Sequence, residues 1–132
     1  MTVGLSADNT ANKLLNTIGR GGTTFTAGSL YVKLHTGDPG SAGTANASAV
    51  TTRYAVTFSA AGTATAGSMA LTSMGGTWSM TGTETISHIS LHDAATAGNF
   101  LWSVALTASK SVINGDTLSL TSLTLAFTPI AA

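Results

Sequence analysis

The amino-acid sequence predicts a mainly β fold, a β-sandwich or jelly-roll-like antiparallel domain with one short N-terminal helix. About seven short segments alternate apolar and polar residues with the period of two that half-buried strands produce. Clusters of Gly, Asn, Asp and Pro separate these segments at near-regular spacing, as in all-β domains. The 132 residues are an ordinary length for one domain. We therefore expect a single domain over 1–132, with the β-sandwich at 29–128.

The first regular element that the sequence predicts is a helix at 6–18. Ser6 is a favoured N-cap residue, Asp8 lies where the helix dipole favours a negative charge, and Gly19 is a natural C-cap. A helix of this length is only marginally stable alone. It therefore either packs on its own sandwich or leaves the domain as a docking arm. Its apolar face combines Ala7, Ala11, Leu14, Leu15 and Ile18.

The middle of the chain predicts two strands separated by a dense turn and a loop. Residues 30–35 and 53–58 alternate apolar and polar side chains, and each segment contains one tyrosine, Tyr31 or Tyr54. The small polar residues at 40–51 predict an ordered loop or a flexible arm. The turn that follows the first strand is predicted from Gly37, Asp38 and Pro39.

The last third of the chain carries the clearest strand pattern. A strand at 85–92 precedes a turn at 93–99 and a returning strand that begins at residue 100. Alternation along the first of these strands places Ile89 and Leu91 on one face and Ile86 and His88 on the other. Asn-Gly at 114–115 is the strongest short signal for a β-hairpin, here between strands at 110–113 and 116–127. The residues predicted to have structural roles in these turns are Asp93, Asn114, Gly115 and Asp116.

The charge content excludes several classes of function. Only 8% of the residues are charged and the formal net charge is zero, so nothing predicts binding to nucleic acid. No apolar run reaches the length of a membrane helix, residues 1–8 do not predict a secretory signal, and there is no Cys. Ala, Gly, Ser and Thr together exceed half of the chain. A surface with so few charges is prone to associate, so we expect neighbouring proteins to cover much of it.

No pattern in the sequence predicts catalysis, a metal site or a cofactor. His88 and His92 would be neighbours on a helix, but on a strand roughly 13 Å separates them, too far to share one ion. Four of the five acidic residues lie in or beside predicted turns or caps, where short carboxylates bond their own backbone. Abundant Ser leaves a Ser/His/Asp triad open by counting, but the G-x-S-x-G elbow is absent.

The aromatic residues on the predicted strands have two interpretations. They could form a stacking platform for sugars, although aromatic side chains on strands more often pack in a core or an interface. Together with the apolar face of the helix they make up the candidate interface. Its predicted residues are Leu14, Leu15, Ile18, Tyr31, Tyr54, Trp78 and Trp102.

Four segments in a fixed order carry a resemblance to a known family. They read LYVKLHTGDPG at 30–40, RYAVTF at 53–58, ISHISLHDAATAGNFLW at 86–102 and GDTL at 115–118. Together they resemble small virion proteins of tailed bacteriophages, especially phages of actinobacteria, over roughly the whole chain. The small departures are Ser87, where Thr is usual, and His92 before the Asp.

The resemblance implies a non-enzymatic structural protein, labelled a tail-fibre or minor tail protein or a head-decoration protein. It would be made in the host cytoplasm and reside in the virion, on the head surface or the tail. Expected partners are its own copies, in a trimer or another symmetric homo-oligomer, and major capsid or tail proteins. Nucleic acid and membranes are not expected partners. The alternative is a module that binds a host receptor or cell-wall carbohydrate through Trp78, Trp102 or the loop at 36–50.

Overall fold

A computed structural model describes residues 3–21, 28–62 and 67–127 of the chain. The N-terminal part forms a π-helical turn, Ala7–Ala11, which continues directly into helix α1, Asn12–Arg20. Eight strands follow in the described residues: β1 Leu30–His35, β2 Tyr54–Phe58, β3 Ser68–Met74, β4 Trp78–Ser79, β5 Glu84–His92, β6 Phe100–Val112, β7 Thr117–Leu118 and β8 Thr124–Ala126.

The strands form two antiparallel sheets of unequal size. The larger sheet is curled, has six strands and follows the order β6-β5-β1-β2-β3-β8, while β4 and β7 form a separate pair. Each pair of neighbouring strands in both sheets runs antiparallel. The predicted all-β class with one short N-terminal helix is therefore confirmed.

One hydrophobic core joins the two sheets. Val32, Leu34 and Val56 of the large sheet pack together with Trp78 of the small sheet and with Met80 just after it. The exposed fraction of Trp78 and Met80 is no more than 2%. Closing this core removes apolar surface from water, which is the main favourable term in folding.

The helix begins where the sequence predicts and ends two residues later. Ser6 accepts a hydrogen bond from the Asn9 amide at 3.3 Å, so the predicted N-cap is confirmed. The predicted C-cap at Gly19 is wrong, because Gly19 continues the helix. Gly21 ends it instead with a left-handed φ of 59°, and its amide donates to the Asn16 carbonyl. Glycine adopts that conformation without the steric cost that other residues carry.

The predicted hairpin around 114–115 is wrong as a pairing, although the turn itself forms. Gly115 has a φ of 92°, and the Ile113 amide donates to the Asp116 carboxylate at 3.0 Å. After the turn β7 does not return along β6 but pairs with β4, and β8 pairs with β3. The Met80 amide donates to the Asp116 carbonyl, and the Gly115 amide donates to the Met80 carbonyl. These two main-chain bonds join the turn to the other sheet.

The predicted faces of β5 are also corrected. Strict alternation places Ile86 on the face opposite Ile89, whereas all of Ile86, Ile89 and Leu91 are buried in the core. The pairing of β5 with β6 shifts register between Ile86 and His88. An irregularity of this kind moves the following side chains to the other face of the sheet.

Candidate functional site

The two tryptophans predicted as contact residues belong to the core. Trp78 is 1% exposed and Trp102 is 8% exposed. The Trp78 indole N–H donates to the Thr52 carbonyl at 2.8 Å, and its ring meets the Tyr54 ring edge-on with 5.3 Å between centroids. These indoles fill space between sheets and expose no face on which a sugar could stack. Tyr31 and Tyr54 are half-buried.

The base of the N-terminal helix is fixed to strand β6 through main-chain oxygens. The Ser6 amide donates to the Leu101 carbonyl at 2.7 Å, and the Thr10 hydroxyl donates to the same oxygen at 2.8 Å. The Asn9 side-chain amide donates to the Phe100 carbonyl at 3.1 Å. Ser6 and Thr10 are both buried. The π-helical turn is therefore tied to the sheet by polar bonds shielded from water.

Helix α1 projects from this base with its apolar side uncovered. None of its residues is buried, and among the described elements it packs only on the π-helical turn. Leu15 is 67% exposed and Ile18 is 83% exposed. These side chains line one shallow apolar depression with residues from both ends of the described chain. We call it the helix patch; its residues are Leu5, Ala11, Leu14, Leu15, Ile18 and Phe127.

Three predicted interface residues, Leu14, Leu15 and Ile18, thus lie in one surface, and the tyrosines and tryptophans do not join them. Leu5 and Phe127 complete that surface, although no local sequence pattern selects them for it. They are separated by more than a hundred residues, and only the fold brings them together. Their exposed fractions, 40% and 62%, are the signal that identifies them.

The turn residues predicted at 37–39 begin an ordered loop that follows strand β1. Asp38 accepts a hydrogen bond from the Gly40 amide at 2.8 Å, and Pro39 is buried. The Thr36 amide donates to the Asn46 carbonyl at 2.8 Å, and the Ser48 amide returns to the Leu34 carbonyl at 3.1 Å. A Cβ at Gly37 would lie 3.1 Å from the Asn46 side chain, so glycine permits this close approach. The loop at 36–50 is therefore an ordered cover.

Beneath that loop lies a buried chain of hydrogen bonds. His35 Nδ1 lies 2.8 Å from the Ala45 carbonyl, and His35 Nε2 lies 2.7 Å from Ser90 Oγ. Ser90 Oγ is also 3.0 Å from His92 Nε2. A carbonyl only accepts, so His35 Nδ1 carries the proton, Ser90 donates to His35 Nε2, and His92 Nε2 donates to Ser90. His92 Nδ1 then has no hydrogen-bond partner among the described residues.

Both imidazoles are held in the neutral form by their surroundings. Burial lowers the pKa of His35, and the nearby Lys33 acts in the same direction, although the bond to Ala45 opposes them. Burial, with the charges of Arg53 and Lys33, lowers the pKa of His92 to about 4. Ser90 is 0% exposed. A substrate in solution cannot reach its hydroxyl, so we interpret this network as structural.

The turn after β5 is built by one carboxylate and one guanidinium. Asp93 accepts from the Asn99 amide at 2.6 Å and from its side-chain amide at 2.7 Å. Arg53 donates to the carbonyls of Ala94 and Ala97 at 2.9 and 2.6 Å. Partial burial raises the pKa of Asp93, but the hydrogen bonds from Asn99 outweigh it and the net pKa is lowered. These charged groups therefore stabilise the turn.

No cluster of three or more His, Asp or Glu side chains that could hold a metal ion occurs at 3–21, 28–62 or 67–127. The described part of the chain also has no helix that is long and apolar enough to cross a membrane.

Comparison with protein families decides the class of the molecule. The family described as podophage GP4 fiber I protein gp80 matches residues 6–128. The chain belongs to this family. Membership confirms the phage tail-fibre type that the sequence resemblance predicts and implies a component of the virion tail. An actinobacterial phage and a place on the head stay predictions. A search of curated proteins found no match.

Proposed function

We propose that the chain is a non-enzymatic structural component of a phage tail fibre that acts by assembling with its own copies and docking on other virion proteins. The observation that carries this proposal is the match to a fibre family over residues 6–128. The geometry supports it, because His35, Ser90 and His92 are engaged in a buried network and Asp93 is engaged in a turn. The uncovered face of α1 gives the molecule a surface suited to association.

The test is to locate the chain in purified particles. Peptide mass spectrometry of gradient-purified virions should recover it in a fixed ratio to the major tail proteins. A cryo-EM map of the same particles should then contain its all-β domain on the tail, in symmetric copies. Absence of its peptides from virions in which other minor components are detected contradicts the proposal. Density on the head surface instead would assign it to the decoration class.

The carbohydrate-binding alternative is less favoured, because both tryptophans are buried. The contact surface that this alternative still has available is the outer side of the loop at 36–50, where Ser41 and Ala42 are exposed. An array of host cell-wall glycans separates the two functions. Specific binding that is lost on changing this loop, in a chain that remains folded, would favour the alternative.

A further inference from the structure

The helix patch is an exposed apolar surface of the size that often marks a functional site on a soluble protein. The large side chains Leu5, Leu15, Ile18 and Phe127 are 40%, 67%, 83% and 62% exposed. With about 170–200 Å² for one fully exposed large side chain, these fractions leave on the order of 450 Å² of contiguous apolar area. Within the described residues, no polar side chain interrupts the depression that they line with Ala11 and Leu14.

The described part of the chain does not supply a cover for this patch. The helix is fixed at its base by bonds from Ser6, Asn9 and Thr10, and α1 then extends without packing on any described strand. An isolated helix of nine residues is marginal in water. A second surface that covers the apolar side of α1 would therefore stabilise the helix.

The spacing of the patch fits a second helix of the same kind. Its helical residues, at positions 11, 14, 15 and 18, follow the i, i+3, i+4, i+7 pattern with which two amphipathic helices pack along one stripe. A stable interface needs about 800 Å² from each partner. The patch supplies roughly half of it, and the polar flanks of the same helix lie beside it to supply more.

The charges around the patch also favour a copy of the chain over a strongly charged partner. The patch itself contains no ionisable side chain. Asp8 lies in the first turn of the helical segment and Arg20 in the last turn of α1, and the formal net charge of the whole chain is zero. Two such helices that cross antiparallel bring opposite charges and opposite dipole ends together. Isologous contacts of this kind are the commonest in homo-oligomers.

We propose that the helix patch binds the helix patch of a second copy of this chain. The inference rests on the proposed function, since it names the surface through which the fibre component self-assembles. Leu15 and Ile18 form the centre of the contact, and Leu5 and Phe127 hold its edge against the body of each copy.

The test compares the full chain with a paired variant and a matched control in sedimentation velocity over a range of concentrations. The variant changes Leu15→Ser and Ile18→Ser together; the control is Ile113→Ser, which removes an equally apolar side chain, 59% exposed, outside the patch. All three should keep the β-sheet circular dichroism, because the changed residues are exposed, and any loss in the paired variant should be confined to the small helical signal of α1. We expect the wild type and the control to self-associate, and the paired variant to dissociate at least about 100-fold more readily.

Cross-linking gives a second readout that does not depend on weakening the contact. The chain has no Cys, so one introduced thiol is the only thiol present. Leu15→Cys should form a disulfide-linked pair on mild oxidation, whereas Lys13→Cys, on another side of the same helix, should remain mostly monomeric. Equal cross-linking at both positions overturns the proposed contact.

Two further results overturn the inference without touching the proposed function. One is a wild-type chain that stays monomeric at tens of micromolar and is nevertheless found in virions. The other is a paired variant that self-associates as the wild type does. If the wild type is monomeric and the paired variant is defective only in its incorporation into virions, the helix patch binds a different virion protein. Absence of the chain from virions, in contrast, overturns the proposed function alone.

Discussion

Gly43 lies so close to Phe100 that a Cβ at position 43 would be 2.4 Å from Cδ2 and 2.9 Å from Cβ of the phenylalanine. Gly43 is buried, and its φ is 68°. The close approach presses the 36–50 loop onto the start of β6, next to the buried imidazole of His92, whose ring centroid is 5.9 Å from that of Phe100. A side chain at position 43 would separate the loop from the sheet.

Gly43→Ala should therefore be among the more destabilising single substitutions in the chain. The added methyl group contacts the root of the Phe100 side chain, which cannot rotate away, and the backbone is strained for alanine. We expect a loss of about 3 kcal/mol or more in the free energy of unfolding, measured by urea denaturation. Gly62→Ala is the control, since Gly62 has a φ of 81° but a methyl group there would meet no described atom within 4 Å. Equal losses in the two variants would contradict the steric explanation.

Acid should weaken the fold through His92. Its pKa is about 4 in the folded chain, below the ordinary 6.5, so the unfolded state binds more protons between these values. The stability contribution of neutral His92 is complete above pH 6.5 and is lost as the pH falls towards 4, by up to about 3 kcal/mol.

His92→Gln supplies the comparison, because glutamine can still donate to Ser90 but does not titrate. The slope of the unfolding free energy between pH 6.5 and 4.5 should be smaller in the variant than in the wild type. Arg53, Lys33, His35 and Asp93 all act on His92 and remain in both proteins. Superimposable pH profiles would show that His92 does not carry the effect.

Arg53 should hold the turn at 94–97 in place. Arg53→Met keeps the length of the side chain but removes the donors to Ala94 and Ala97, and Ala97 has an unfavourable φ of 51°. We expect a loss of about 1–2 kcal/mol and faster hydrogen exchange at the Asn99 amide, which donates to Asp93 across the same turn. Arg20→Met, at an exposed helix position, should change neither quantity by a comparable amount.

The buried hydroxyl of Thr10 should contribute measurably to the attachment of the helix. Thr10→Val keeps the shape of the side chain but removes the bond to Leu101, at a cost of about 1 kcal/mol. Thr17→Val is the control, because the Thr17 hydroxyl donates within its own helix, to the Lys13 carbonyl, and is near the surface. A loss at Thr17 as large as that at Thr10 would argue against a special role for the buried bond.

Local signals in the sequence predicted the parts of the fold that depend on local chemistry. Ser6 caps the helix because a hydroxyl there reaches the third amide along, and that requires only neighbouring residues. The turn at Asn114 and Gly115 forms for the same reason. The partner of the strand that follows was not predictable, because β7 pairs with a strand almost forty residues earlier. Pairing at that distance depends on how both sheets fill one core.

The candidate surface residues show the same difference between local and long-range determinants. Leu14, Leu15 and Ile18 were identified from their spacing on one helix, whereas the burial of Trp78 and Trp102 depends on contacts with distant strands. The network of His35, Ser90 and His92 also escaped prediction, because β1 and β5 become neighbours only in the folded sheet. The spacing of His88 and His92 could not indicate this network. The Ser90 hydroxyl joins His92 to His35, which lies on another strand, and not to His88.

The bonds that anchor the helix end on the carbonyl oxygens of Phe100 and Leu101, and every residue type provides such an oxygen. Substitutions in the side chains of β6 can therefore accumulate without releasing the helix. Conversely, the exposed residues of α1 can change without disturbing the β domain, since no described strand packs on them. If α1 docks as proposed, folding and choice of partner are encoded in separate residues. A phage lineage could alter what this protein attaches to while its domain stays the same.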